Sequence, residues 1–186
     1  MAIQYTQVRI TEMEKAAREN GRPKLAEAYR PQARIGDALQ LCDNLLEMGV
    51  HQGEVKLICA HPPYLDCIRY TGNNPADLSS IKVPADFYEK MRQFAKQVKK
   101  CLAPDSVCAV LIGDVKKKGL TEPLGLRTLD CFLNENFSLE SIIVKKQHRD
   151  RSAEFYFQKD NMGLLMAHEY LFILRNKEAS DAAVGP

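Results

Sequence analysis

Apolar residues recur along this chain with two different rhythms. From Pro84 onward, Phe87, Met91, Phe94, Val98 and Leu102 fall three or four apart, so they share one face with Lys and Glu opposite, and the spacing predicts a helix that stops at Pro104. Val55 to Ala60 (VKLICA) and Val107 to Ile112 (VCAVLI) are instead short continuous apolar runs, the pattern of strands buried on both faces. The first is cut off by His61-Pro62-Pro63-Tyr64, where two prolines forbid further ladder bonding, and is expected to be a central strand; the second ends at Gly113-Asp114. Strand, helix and strand in this order predict a parallel pair joined by a right-handed crossover.

The remaining elements follow from the same patterns. Residues 11–29 read as one bent or two short helices, with Met13, Ala16 and Ala17 on one face, a break at Asn20 to Pro23, and Leu25, Ala26 and Tyr29 resuming the pattern. Gln32 to Asp37 (QARIGD) is expected to be a short strand ending at a loop. Pro123 opens a helix whose stripe is Leu126, Leu129, Phe132 and Leu133, and which ends near Asn134. Ser138 to Lys145 and Glu169 to Arg175 read as two strands pairing antiparallel at a sheet edge. The tail from Asn176 carries no periodic apolar residues. These elements predict an α/β fold: a mostly parallel sheet with an antiparallel C-terminal hairpin and helices on both faces. The expected organisation is a helical segment at 1–30, a main domain at 31–176 and a loose tail at 177–186.

Composition narrows the function classes only a little. There are 26 basic and 24 acidic residues, a net charge of +2, so any nucleic-acid face must come from local clustering. The six cysteines include no CxxC pair, and several lie in apolar runs; reduced, structural thiols are the expectation. No apolar stretch has the length of a signal peptide or of a membrane span, and a cytoplasmic protein is expected. No nucleophile elbow, HExxH or paired-cysteine motif points to a hydrolase or redox enzyme.

In sheets of this type ligands bind beyond the carboxyl ends of the strands. That rule selects Asp37, the His61 to Tyr64 loop, and Gly113-Asp114 with Lys116, Lys117 and Lys118. In the loop, two prolines stiffen the chain, the carbonyls of His61 and Pro62 are left without local amide partners, and Tyr64 offers a planar face. The bland reading is a proline-rich turn with Tyr64 as a core anchor, but the motif directly follows an apolar strand. Asp37 reads equally well as a helix-capping loop residue. Gly113-Asp114 reads equally as a turn. The lysine run, and Lys145, Lys146, His148, Arg149 and Arg151, read either as phosphate grips or as solvated charge.

Taken in order, ICAHPPYLDCIRYT, the DLS of Asp77 to Ser79, VLIGDVKKKGLTEPLG and HEYLFILRN make the stretch from Leu57 to Arg175 resemble the N4-cytosine/N6-adenine DNA methyltransferases, in the branch with His before Pro-Pro-Tyr. The resemblance covers roughly two-thirds of the chain. It implies a partial Rossmann-like methyltransferase fold, with the imidazole of His61 and the carbonyl of Pro62 holding the target amine, Pro63 stiffening the corner, and Tyr64 stacked on the base. It implies that Asp37 contacts the adenine amine of S-adenosylmethionine, and that Gly113 and Asp114 line the target pocket. The chemistry agrees: a base must leave the duplex to reach such a site, and a stacking ring with acceptors offsets part of that cost. His61 accepts only when unprotonated, which the imidazole reference value of ~6.5 permits at neutral pH.

Members of this family begin with a strand, a glycine-rich loop and an acidic residue that hold the donor. The ten glycines here include no GxG, and only about thirty residues precede QARIGD. The expectation is a truncated or split enzyme that binds the donor weakly alone, with DNA as partner and a further subunit or second copy covering the missing half of the sheet. Two other functions fit the same residues: a catalytically inactive methyltransferase-like binding or regulatory module, and an enzyme whose acceptor is an amine of RNA or of protein glutamine.

Overall fold

In the computed structural model, Phe87, Met91, Ala95 and Val98 are fully buried along one side of a helix that runs from Pro84 to Cys101, with Pro84 in its first turn. The structure describes residues 11–12, 15–16, 18–21, 32–71, 74, 76–117, 119–146 and 168–177. The chain divides into a unit of residues 1–37 and a unit of residues 38–186. In the first, residues 11–12, 15–16 and 18–19 are helical, and the helix ends at Asn20-Gly21, where Gly21 takes a left-handed φ of 69°. Of the expected continuation, residues 22–29 lie outside the described residues, as do Met13 and Ala17.

The second unit holds a 3-10 turn at Ala38–Gln40, α1 (Leu41–Leu46), β1 (Val55–Ala60), a 3-10 turn at Leu78–Ser80 and α2 (Pro84–Cys101). It continues with β2 (Leu102–Ile112), β3 (Val115–Lys117), β4 (Leu120–Glu122), α3 (Leu124–Leu133), β5 (Ser138–Lys146) and β6 (His168–Arg175). Four strands form one sheet in the order β1-β2-β6-β5. β1 pairs parallel with β2, as a strand–helix–strand unit requires, while β2–β6 and β5–β6 are antiparallel. The C-terminal hairpin is where the sequence places it. Among the described residues, however, one of the three ladders is parallel, so the sheet is mixed.

The α/β class holds, and three local expectations change. Gln32 to Asp37 is not a strand: it pairs with nothing in either sheet, and Ile35 is 88% exposed. A six-residue segment without a ladder partner lacks the inter-strand hydrogen bonds that define a strand. Among the described residues β1, expected to be central, is an edge strand, with Leu57 57% exposed. And α2 and α3 lie against the same sheet face. Cys108, Val110 and Ile112 of β2 and Phe172 and Leu174 of β6, in register across the ladder, form one buried cluster with Phe87, Met91, Val98, Leu124 and Phe132 of the two helices. Leu57, Leu111, Leu171, Ile173 and Ile143, which point to the opposite face, do not belong to that cluster.

β2 starts five residues earlier than its apolar run, at Leu102. Between the pairs Val55↔Leu102 and Leu57↔Val107 the ladder is irregular, and Asp105 takes a left-handed φ of 54°. Asn176, buried, holds this bulge: its side-chain amide donates to the carbonyls of Leu102 and Ala103, both at 3.0 Å, and its backbone N–H donates to Ser106 at 2.8 Å. All six cysteines are free thiols; Cys42, Cys101, Cys108 and Cys131 are buried, whereas Cys59 and Cys67 are exposed. Burial pushes the Cys108 thiol up to about 12. No helix among the described residues is long and apolar enough to cross a membrane.

Candidate functional site

β1 ends at Ala60 because Pro62 and Pro63 have no N–H to continue the ladder with β2. The next turn, closed by the Cys67 N–H on the Tyr64 carbonyl at 3.2 Å, puts Leu65 at a left-handed φ of 51° with its side chain wholly buried. A leucine in that conformation costs roughly 1–3 kcal/mol, here offset by burying its side chain. Leu65 thus anchors the corner from below and leaves His61 exposed and Tyr64 half-buried.

Three further strand ends meet this corner. Ala60 and Val110 are in register, so Gly113-Asp114, two residues past β2's pairing with β6, lies on the same rim as His61 to Tyr64. β6 runs antiparallel and therefore begins there with His168, Glu169 and Tyr170, and β5 ends there with Lys145 and Lys146 opposite Glu169 and His168. Gly113 is pressed against the corner: a Cβ at this position would sit 3.2 Å from Tyr64 Cε2.

The polar groups form a connected chain. The Tyr64 hydroxyl donates to Glu169 Oε1 at 2.6 Å and lies 3.0 Å from His61 Nε2. Lys145 Nζ donates to the other oxygen of Glu169 at 2.7 Å as a salt bridge. Glu169 is only 6% exposed, so these partners are what permit a carboxylate there. Burial first, and then the bond and charge of Glu169, raise the Tyr64 hydroxyl far above its ordinary value, against a smaller opposing effect of the Gly113 backbone; it stays protonated at every working pH.

Asp114 makes a second set of contacts on the same rim. Its Oδ1 accepts the Gly125 N–H at 2.9 Å, at the start of α3, and its Oδ2 accepts the Tyr170 hydroxyl at 3.4 Å, which in turn lies 3.0 Å from His168 Nε2. Both oxygens of Asp114 are thus engaged within the protein. The lysines expected beyond it sit on a small hairpin, β3–β4, not in an open loop. Lys117 pairs with Asp66 at 3.0 Å and donates to the Lys82 carbonyl, and the pairing with Lys117 holds the Asp66 carboxyl below the usual range. Lys116 is exposed, and Lys118 lies outside the described residues, as do His148, Arg149 and Arg151. Asp37 is the last residue of the first unit, half-buried and directly ahead of the Ala38–Gln40 turn.

The loop between the corner and α2 is tied back by the DLS triplet. Asp77 accepts from the Ser79 N–H at 2.9 Å and from both the N–H and the hydroxyl of Thr71, at 2.9 and 2.6 Å. The Thr71 hydroxyl is the main reason its carboxyl falls to about 2. Ser79, wholly buried, accepts the Tyr70 N–H. Of all these residues, Glu169 is the one that the sequence reading left as a mere strand start. The available signal was a single carboxylate on the alternation of Leu171 and Ile173 in an apolar strand.

No family model and no curated protein matches this sequence. Solved structures do. The PvuII DNA methyltransferase, cytosine-N4-specific, aligns with a TM-score of 0.58 at 20% identity over 82% of this chain and 54% of that one. A Thermus thermophilus protein described as a DNA modification methylase aligns with a TM-score of 0.54 at 18% identity, over 81% of this chain and 53% of its own. Its complex with S-adenosyl-L-methionine gives 0.53 at 19% identity, over 82% and 56%. The chain spans about half the length of these structures. At such identities the likeness is one of fold, and over the shared span this chain has the fold of those DNA methyltransferases.

Proposed function

We propose that this chain is the acceptor side of an S-adenosylmethionine-dependent methyltransferase acting on an exocyclic amine of a DNA base, N6 of adenine or N4 of cytosine. The observation that carries the reading is the diproline corner at the end of β1, with His61 exposed and Tyr64 held by its hydroxyl beside Gly113. An extruded base needs a plate to stack on and acceptors for its amine hydrogens. Tyr64 supplies the plate, and the imidazole of His61 with the Pro62 carbonyl supplies the acceptors. Two hydrogens held in this way leave the amine nitrogen aimed at the donor's methyl group, so the protein acts by positioning and needs no base strong enough to ionise the amine. Lys146 and Lys116, exposed on the same rim, are suited to contact phosphate.

S-adenosylmethionine is the methyl donor in this reading, with Asp37 as a contact to its adenine. The glycine loop that grips the donor in the resembling family is not among these 186 residues. The sheet face carrying Leu57 and Ile143, with the side of β1 that no described strand pairs, is the surface on which a donor-binding partner is proposed to sit. The test is transfer of labelled methyl from S-adenosylmethionine to DNA, RNA and protein acceptors, by the chain alone and with a donor-binding partner. DNA labelling that disappears in Tyr64→Ala supports the reading; labelling indifferent to Tyr64 removes it. The absence of GxG favours a second reading, a non-catalytic module with the same fold, which predicts no transfer to any acceptor.

A further inference from the structure

We propose that Glu169 is a positioning residue that decides which nitrogen of His61 is the acceptor, an inference that rests on the reading of His61 as the holder of the target amine. Counting protons along the chain of contacts leads there. A tyrosine hydroxyl has one proton to give. The Tyr64 oxygen lies 2.6 Å from Glu169 Oε1 and 3.0 Å from His61 Nε2, and it cannot donate to both. Glu169 is 6% exposed, and its second oxygen is held by the Lys145 ammonium at 2.7 Å, so it stands as a carboxylate, which accepts only. Giving the proton to Glu169 forms the shorter, charge-assisted bond, 2.6 Å against 3.0 Å.

Tyr64 therefore offers His61 a lone pair, and the hydrogen of that contact belongs to His61 Nε2. In a neutral imidazole the other nitrogen, Nδ1, is then bare. The carboxylate on β6, 105 residues further along the chain, thus presents Nδ1 of His61 as the acceptor for a planar amine and turns Nε2 away from it. Glu169 does not touch the amine in this scheme. It acts through Tyr64, and the same bond fixes the tilt of the Tyr64 ring, 60° to the imidazole at a centroid distance of 5.6 Å.

The test reads the tautomer directly and requires neither DNA nor donor. Full-length 15N-labelled chain is examined by long-range 1H–15N correlation at about two pH units above the imidazole reference value of ~6.5, with His61→Gln assigning the signals. The wild type is expected to show Nε2 protonated and Nδ1 bare. In Glu169→Leu the Tyr64 proton is released to Nε2, and the His61 proton moves to Nδ1. In Glu169→Gln the side-chain carbonyl still accepts from Tyr64, and the wild-type pattern returns. Tyr64→Phe, which keeps the ring, is expected to give a mixture of tautomers. A proton on Nδ1 in the wild type overturns the proposal; so does one unchanged tautomer across wild type, Glu169→Leu and Tyr64→Phe, and the last variant serves if Glu169→Leu does not fold.

Where the chain transfers methyl groups, Glu169→Leu is expected to lower kcat on the order of 10²-fold, the size of a misplacement effect, with KM for DNA little changed and Glu169→Gln close to wild type. A correct tautomer pattern without any transfer would sink the methyltransferase reading and leave the positioning role standing. Transfer with the wrong tautomer would do the reverse.

Discussion

Two histidine–tyrosine–carboxylate chains lie side by side on one rim of the sheet, built from the same residue types, and they differ in where they end. His61–Tyr64–Glu169 has contacts of 3.0 and 2.6 Å, passes through the buried Glu169 to the Lys145 salt bridge, and leaves an exposed imidazole at its other end. His168–Tyr170–Asp114 has contacts of 3.0 and 3.4 Å and terminates on the Gly125 amide at the start of α3. Its tyrosine ring stacks on Phe172 at 5.5 Å and leaves no room at Gly125, where a Cβ would meet it at 2.5 Å. The first chain is tight and opens on solvent at His61; the second is half-buried throughout and ties α3 to β6. Residue type alone does not separate a candidate site from a structural tie. Exposure of the terminal group does.

The comparison can be broken at several points. Removing the stacking partner of the second chain, Phe172→Ala, should cost about 3–5 kcal/mol, because Phe172 is wholly buried in the core; the midpoint of denaturant unfolding measures it. Gly125→Ala forces the Tyr170 ring aside and should cost roughly 1–3 kcal/mol by the same measurement, despite the usual helix preference for alanine. If Gly125→Ala is neutral, the second chain is not the rigid tie described.

Deleting one hydroxyl from each chain sharpens the contrast. Tyr64→Phe removes a 2.6 Å bond to the buried Glu169 carboxylate and should cost about 1–3 kcal/mol, whereas Tyr170→Phe gives up a 3.4 Å contact and should cost at most about 0.5–1 kcal/mol. Equal losses in thermal unfolding would erase the difference between the chains.

The smallest effect expected is at Asp77, which holds the loop behind the open chain. Its folded carboxyl lies at about 2, below the ordinary 3.8, so its contribution is complete above about pH 4 and fades as pH falls toward 2. Asp77→Asn should flatten the stability profile over that interval and lower stability at neutral pH, where the charged carboxyl makes its full contribution. A wild-type profile already flat between pH 4 and 2 would contradict the contacts to Thr71 and Ser79.

How much of this was legible beforehand differs by element. The stripe of Phe87, Met91, Phe94 and Val98 announced α2, and the apolar runs announced β1 and the second half of β2, since a buried periodic pattern needs no distant information. The position of the diproline corner beside Gly113 also followed, because two parallel strands separated by a helix must end on the same side. QARIGD misled because a short run ending at Gly-Asp is a strand only when another strand supplies its bonds. The β3–β4 hairpin was hidden by its lysines and by strands of three residues. Pro104 read as the end of the helix and Val107 as the start of the next strand, and the side chain of Asn176, more than seventy residues away, holds Leu102 and Ala103 in β2 ahead of them.

The chain's own order of residues was enough to set its α/β class, its two principal strands, its longest helix and the stiff corner at Tyr64, because local periodicity and the missing N–H of proline act within a few residues. Only the tertiary structure could decide that Glu169 and Lys145 close on Tyr64, that Asp114 turns to Gly125, and that both long helices share one sheet face. Those outcomes depend on which elements become neighbours, and contacts between residues 11 to 105 positions apart leave no local mark.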